Sequence, residues 1–176
     1  RLAELAHKNE IRVCYMKAGD ALGKRKENVL NERNSAGAFR IEGLYPNGDN
    51  DSEDINDRCL VLSYEDVDLS AFFGGDISSE VEEQLVASGK CPKTDVLKAS
   101  HHGSKYSNSD ALLQTLQPRF TLASAGKKNR YGHPSPDMVR RVEESDSVFY
   151  CTIECGRIRV RNVDGRLVVE PYKNTK

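Results

Sequence analysis

Two adjacent histidines, His101 and His102, follow a short apolar segment at residues 95–100 and precede a glycine and a serine. A buried strand has no structural requirement for paired imidazoles, and Gly103 allows the backbone to turn tightly behind them. Near neutral pH an imidazole can bind a metal ion or carry a proton. We therefore interpret the pair as part of a metal site or a proton relay in a hydrolytic enzyme.

A carboxylate and a third imidazole occupy equivalent positions along the chain. Asp76 follows an apolar segment at residues 69–73, and His133 lies in a loop after the segment at residues 120–124. Strand ends on one edge of a layered sheet converge, and binding sites are commonly built there. The sequence therefore predicts that the carboxylate and the imidazoles can share one metal centre.

The elements that position these groups follow from the periodicity of the apolar residues. Strands are predicted at residues 11–16, 39–45, 59–64, 69–73, 95–100, 120–124, 148–153, 157–160 and 167–169. Helices are predicted at residues 2–9, 79–89 and 108–116 and from Pro136 onward, with Ser135 as the N-cap. Residues 23–36 are predicted to be a loop or a hairpin excursion, residues 47–57 an exposed loop, and Asp164-Gly165 a hairpin turn. This order predicts an α+β fold of sheet layers with helices on an outer face.

The helix after Asp76 has a specific start signal. Ser79 and Glu82 match a capping box, in which the two side chains satisfy free N–H groups of the first turn. The residues predicted to face the core are Ile77, Val81 and Leu85.

The length of 176 residues fits one domain, residues 1–176. No apolar run approaches the roughly 20 residues that cross a bilayer, so no membrane contact is expected from this segment. Five cysteines favour free thiols and a cytoplasmic location, and an extracytoplasmic one fits if the parent is a membrane protein. A net charge of −1 excludes bulk attraction of a polyanion. Cationic residues do cluster around the histidine segments, and they could form either a local basic patch or simply a solvated charged surface. They are Lys98, Lys105, Arg119, Lys127, Lys128 and Arg130.

Together the polar strand ends resemble the metallo-β-lactamase superfamily, and most closely the ComEC-like branch, the C-terminal domain of competence DNA-uptake proteins. That branch carries a strand ending in Gly-Asp, a D-V-L-K strand followed by H-H-G-S, and N-x-Y-G-H-P before a helix. This chain has FFGGD at residues 72–76, DVLKASHHGS at residues 95–104 and NRYGHP at residues 129–134. The resemblance runs from about residue 10 to about residue 160 and implies a four-layer αβ/βα sandwich, of which this chain would be mainly the C-terminal half.

The resemblance also implies a site for two divalent cations, zinc or manganese, in the complete domain. Asp76 matches the carboxylate that bridges both ions. The His101-His102 pair matches the last metal ligand; His102 is the preferred ligand and His101 its neighbour or a proton donor, although either imidazole fits the motif. His133 lies at the rim and is a second candidate proton donor.

Substrate contacts are expected from polar residues beside the histidines. Asn129 and Tyr131 would lie at the rim with His133 and contact a phosphate or another leaving group. Ser104 and Lys105 could hydrogen-bond an anionic substrate. The alternatives are a purely structural turn for the loop and a helix-entry role for Ser104 and Lys105.

The H-x-H-x-D-H cluster that supplies most metal ligands in the superfamily is missing from the sequence, and no histidine lies between His7 and His101. We therefore expect the chain to be the C-terminal portion of a larger domain, or else a degenerate member without metal. Alone, it is expected to bind divalent ions weakly, to be catalytically inactive, and to self-associate through uncovered sheet surface.

For the parent, the resemblance implies a metal-dependent phosphodiesterase or nuclease that acts on DNA in a competence-like role. A metal-activated hydroxide would attack the phosphodiester, and His101 or His133 would protonate the leaving group. A small ester, such as a phosphorylcholine ester, is the alternative substrate. A non-catalytic domain that binds nucleic acid or a partner protein is the alternative class.

Overall fold

The computed structural model describes residues 2–13, 15–23, 38–48 and 52–172. The strands are β1 (Ala21–Gly23), β2 (Phe39–Tyr45), β3 (Val61–Asp66), β4 (Ser70–Phe73), β5 (Val96–Lys98), β6 (Phe120–Ala123), β7 (Val148–Cys151), β8 (Arg157–Val163) and β9 (Arg166–Tyr172). The helices are α1 (Leu2–Lys8), α2 (Ser79–Ala87), α3 (Asp110–Leu116), α4 (Pro136–Glu144) and α5 (Thr152–Cys155). Short 3-10 turns cover Asn56–Arg58 and Ser100–Gly103.

The main sheet has seven strands in the order β1-β2-β3-β4-β5-β6-β7. Neighbours from β1 to β4 pair antiparallel, whereas β4 to β7 pair parallel. The parallel strands are joined by connections that contain α2, α3 and α4. β8 and β9 form a separate antiparallel hairpin that turns at Asp164-Gly165, as predicted. The predicted α+β sandwich of sheets and packed helices is confirmed.

One core cluster joins the helices to the main sheet. It includes the inward residues that the sequence predicted for α2 and α3 and the buried residues of α4: Ile77, Val81, Leu85, Leu112, Leu113, Leu116, Met138 and Val142. Phe72 of β4 and Leu97 of β5 belong to the same cluster and are fully buried. Burying a side chain of this size stabilises the fold by about 1.5–3 kcal/mol. The helices therefore hold the parallel half of the sheet, whose strand ends carry the candidate site.

The predicted strand at residues 11–16 is wrong for the residues that the structure describes. Ile11, Val13 and Tyr15 lie outside any strand, and their side chains are exposed. Alternation shows only that a segment could pair, and pairing depends on which sheet edge is free. Here β1 occupies the edge of β2. Residues 24–36 and 49–51, within the predicted loops, lie outside the described residues.

The predicted start of α2 also needs correction. The N-cap is Ser78 rather than Ser79, and its side chain makes no capping hydrogen bond. Glu82 is fully buried and does not complete a capping box, because both of its oxygens accept N–H groups from another loop. A smaller difference concerns the strand predicted to reach residue 153, which ends at Cys151 where α5 begins.

Within the described residues, no helix combines the length and the hydropathy needed to cross a membrane. Cys59, Cys91, Cys151 and Cys155 are free thiols in this part of the chain. Several exposed apolar side chains lie before β2, namely Leu2, Leu5, Ile11, Val13, Tyr15 and Leu22. Self-association through such a surface stays a prediction.

Candidate metal and substrate site

Parallel strands bring the polar segments to one edge of the sheet. Phe73 of β4 pairs with Lys98 of β5, and Lys98 pairs with Leu122 of β6. Asp76 and His101 each follow these paired positions by three residues. Because the carboxyl ends of parallel strands share one edge, this register places the carboxylate and the histidine pair at the same level.

Asp76 and His102 face each other at this edge. The Oδ1 atom of Asp76 lies 3.8 Å from Nε2 of His102. Nδ1 of His102 lies 2.7 Å from the carbonyl oxygen of Ser124, and since a carbonyl only accepts, Nδ1 carries the donated proton. In the neutral ring, Nε2 therefore presents a lone pair towards the carboxylate. Such a pair needs a proton or a cation between its atoms, and a backbone carbonyl on the second nitrogen is typical of metal-binding histidines.

The pair fits part of a divalent-cation site. Zinc binds histidine nitrogen and carboxylate oxygen at about 2.0–2.2 Å, so one ion can reach two atoms that are 3.8 Å apart. Within the described ranges, no group of three or more His, Cys, Asp or Glu side chains converges to hold an ion. Zinc centres use at least three protein ligands, so Asp76 and His102 alone make an incomplete site.

His101 and His133 lie beside this pair. Their rings meet edge to face with centroids 5.6 Å apart, and the ring of Tyr131 stacks on that of His133 at 5.9 Å. Burial, and then the imidazoles of His101 and His102, lower the pKa of His133, whereas Asp76 acts in the opposite direction. The lowered pKa favours the neutral imidazole, which can accept a proton or hydrogen-bond.

A pocket of about 460 Å³ opens next to the histidines. This volume lies within the range of small-molecule sites, roughly 300–1,000 Å³. Exposed cationic residues, Lys127, Lys128 and Arg130, belong to the loop on its rim. The pocket can therefore receive an anionic group. The residues that line it are His102, Ser124, Ala125, Gly126, Asn129, Tyr131 and His133.

The histidine pair has a backbone conformation that side chains rarely adopt. The φ angles of His101, His102 and Gly103 are +47°, +55° and +87°. The left-handed conformation costs about 1–2 kcal/mol for each non-glycine residue. Strain of this kind persists only where surrounding contacts impose it, and it is concentrated at functional sites. One such contact is the hydrogen bond of 2.9 Å from the His101 N–H to the carbonyl oxygen of Gly75.

Ser104 and Lys105, the other two residues proposed to contact a substrate, differ in burial. Ser104 is only 3% exposed, and its Oγ accepts the N–H of Tyr106 at 3.2 Å. Lys105 is exposed, with Nζ 4.7 Å from the ring centre of Tyr106, and it does not line the pocket. Ser104 therefore supports a local turn, and a substrate contact by Ser104 or Lys105 stays a prediction.

Asn129 lines the pocket, but its amide mainly holds the loop together. Nδ2 donates to the carbonyl oxygens of Gly126 at 2.8 Å and His133 at 2.7 Å. Oδ1 accepts the N–H of His133 at 2.8 Å. These bonds use most of the hydrogen-bonding capacity of the amide, so Asn129 chiefly holds His133 in place.

Replacing Asn129 by aspartate is expected to destabilise the protein by about 1–3 kcal/mol, because a carboxylate oxygen would then face two carbonyl oxygens. Asn162→Asp is the matched control, since Oδ1 of Asn162 accepts the Gly165 N–H at 2.8 Å and aspartate keeps that acceptor. Thermal unfolding measures both variants. Equal changes in Tm for the two would contradict the role assigned to Asn129.

Sequence reasoning missed the buried polar residues that support the histidine loop. Glu82 and Asn108 are fully buried, and Asn108 bonds both backbone groups of Ser100. The sequence did offer one signal that Glu82 is buried, because this residue lies next to Val81 on the inward side of α2. Lys98 belongs to the cationic residues that the sequence places around the histidines; it is partly buried, and this burial lowers its pKa, an effect that Asp76 opposes.

This chain is similar to short parts of known proteins that are much longer than it. No family model matches the chain. ComE operon protein 3 of Bacillus subtilis is 35% identical over 122 residues, which are 68% of this chain and 16% of that protein. Recombination protein 2 of Haemophilus influenzae is 29% identical over 115 residues, 65% of this chain and 14% of that protein. Competence protein ComA of Neisseria gonorrhoeae is 33% identical over 90 residues, 51% of this chain and 13% of that protein.

Proposed function

We propose that this chain is part of a metal-dependent phosphodiesterase that acts on DNA in a competence-related role. The observation that carries the proposal is the approach of Asp76 Oδ1 and His102 Nε2 to 3.8 Å at the carboxyl edge of the parallel strands. A carboxylate and a backbone-anchored imidazole are ligands that hydrolytic metal centres use. The names of the relatives, which include a competence protein, support the biological context.

The proposal also assigns the chain to the metallo-β-lactamase superfamily, in its ComEC-like branch. Support comes from the order of the motifs in the sequence and from the α+β sandwich that carries them at one edge. Under this assignment, residues 1–176 form the C-terminal portion of one hydrolase domain. Asp76 and His102 then supply some of the ligands for zinc or manganese, and groups outside the described residues supply the others.

The described residues have distinct tasks in this proposal. Divalent cations, when bound, would polarise the phosphate and activate a water molecule for attack. The carbonyl of Ser124 fixes the ring of His102, so that Nε2 points towards Asp76. His101 and His133, whose rings meet edge to face, would move a proton at the leaving oxygen. The cationic loop on the pocket rim would attract the phosphate backbone.

The test is a cleavage assay on the complete parent domain with labelled single-stranded DNA, duplex DNA and a phosphorylcholine ester. We expect DNA cleavage that requires zinc or manganese and stops when the metal is chelated. Turnover of the ester without cleavage of DNA would replace the proposed substrate by a small ester. Cleavage of neither substrate in the presence of either metal would overturn the proposal.

A second candidate function follows from the number of ligands. Because no third metal ligand converges within the described residues, a domain that binds nucleic acid without catalysis also fits. Such a domain would show salt-dependent affinity for DNA, no turnover, and no stoichiometric metal. Metal analysis of the purified parent protein separates the two candidates, because the phosphodiesterase must retain or take up divalent cations.

A further inference from the structure

Glu82 on α2 is buried, and its carboxylate binds the loop that follows the histidine pair. Its Oε1 accepts the N–H of Asn108 and its Oε2 the N–H of Ser109, both at 2.7 Å. Burial raises the pKa of Glu82, and the two N–H donors act in the opposite direction. Burying an ionisable group is costly, so its presence needs a reason beyond packing.

Arg141 on α4 contacts the same loop through its carbonyl groups. Its guanidinium donates to the carbonyl oxygens of Lys105 at 3.1 Å, Ser107 at 2.8 Å and Asn108 at 3.2 Å. The loop at residues 105–109 is thus held from two sides. The carboxylate of Glu82 binds its N–H groups, and the guanidinium of Arg141 binds its carbonyl groups. Charge-assisted hydrogen bonds are stronger and more directional than neutral ones.

Asn108 connects this loop to the backbone that precedes the histidines. Its Oδ1 accepts the N–H of Ser100 at 2.9 Å, and its Nδ2 donates to the carbonyl oxygen of Ser100 at 3.1 Å. Ser100 is fully buried and directly precedes His101. Asn108 itself has a φ angle of +59°, a left-handed conformation that asparagine tolerates better than most residues. Its side chain therefore fixes the backbone from which the imidazoles extend.

We propose that Glu82, Asn108 and Arg141 form a positioning clamp that sets Asp76, the histidine pair and His133 relative to one another. The helix that carries Glu82 begins at Ser79, three residues after Asp76, and the helix that carries Arg141 begins at Pro136, three residues after His133. The clamp thus ties the helix after each outer motif to the loop after the middle one. The inference rests on the proposed function, because the groups that the clamp positions are those of the proposed site.

The first test is Glu82→Gln in the full chain, with Glu83→Gln as the matched control. Glutamine would place an amide nitrogen opposite one of the two N–H groups, donor against donor, whereas Glu83 is exposed on the same helix. We expect hydrogen exchange at the amides of Ser100 and His101 to become at least about tenfold faster in Glu82→Gln, since one lost charge-assisted bond has about this effect. The amides of β4 should keep their protection in both variants.

A second variant guards against a general loss of stability. Asn108→Asp keeps the acceptor for the Ser100 N–H and tolerates the same backbone, but it places an oxygen opposite the Ser100 carbonyl. It should reproduce the selective exchange at Ser100 and His101 and shift the imidazole NMR signals of His101 and His102. The clamp would be contradicted if exchange became uniformly faster across β4 and the loop in both variants, or if exchange at Ser100 did not change.

Failure of the clamp is distinguishable from failure of the proposed function. Hydrogen exchange and imidazole signals are measured on the chain without substrate, so they test the clamp even if the parent domain cleaves nothing. Conversely, the wild-type domain could show metal-dependent cleavage while exchange in Glu82→Gln is unchanged. That result would support the proposed function and contradict the clamp.

Discussion

Replacing Asp76 by asparagine in the complete parent domain is expected to lower the turnover number for DNA cleavage by about 10²–10³-fold. Asparagine has nearly the same shape but lacks the negative charge that a pair of cations requires. The side chain of Asp76 is 38% exposed, so the fold should tolerate the change. Asp137→Asn is the control, since that exposed carboxylate pairs with Arg140 on the surface at 3.2 Å. Full activity of Asp76→Asn would remove Asp76 from the site.

A double-mutant cycle sharpens this prediction. If Asp76 and His102 bind the same ion, Asp76→Asn and His102→Gln should be strongly non-additive in kcat/KM, because the first change already removes the bound ion. The double variant should then lose little more activity than either single variant. Additive losses would assign the two side chains to separate tasks and would contradict a shared ion.

Replacing Gly103 by alanine is expected to destabilise the protein by about 2–5 kcal/mol. The φ angle of +87° strains any side chain by about 1–2 kcal/mol. The added Cβ would also lie 2.8 Å from Cβ of Pro134 and would overlap Met138, whose side chain is fully buried. Overpacking of this kind costs about 1–3 kcal/mol.

Gly89→Ala separates backbone strain from packing. Gly89 has a similar positive φ of +68°, and nothing lies within 4 Å of an added Cβ. Its substitution should therefore cost only the strain, about 1–2 kcal/mol. Urea unfolding of both variants measures the difference. Equal costs would show that the contact of Gly103 with Pro134 and Met138 is unimportant for stability.

Much of the parallel half of the fold could be predicted from the sequence. The helical spacing of Ile77, Val81 and Leu85 identified the buried face of α2, and Ser135 caps α4 as expected, accepting the N–H of Met138. These signals are local and agree with the final packing. The short strand β1 carries too few residues for any periodicity, whereas the regular alternation at residues 11–16 predicts a strand that the described residues do not form.

The candidate site was predictable in its location but not in its supporting contacts. The order of Asp76, the histidine pair and His133 along parallel strands implies convergence. The anchor of His102 on Ser124 joins residues 22 positions apart, and no local pattern reveals it. Likewise, Glu82 matches a capping box locally, yet it bonds the N–H groups of Asn108 and Ser109, which lie 26 and 27 positions further along. Tertiary contacts therefore override the local preference.

The equal spacing of Asp76 and His101 from the paired positions Phe73 and Lys98 limits how this protein can diverge. An extra residue in the surface connections of α2 or α3 would leave the strand pairing intact. An extra residue between Phe73 and Asp76 would turn the carboxylate away from His102. We therefore expect insertions and deletions among natural variants to accumulate in the helical crossovers and to spare the short turns that follow each parallel strand.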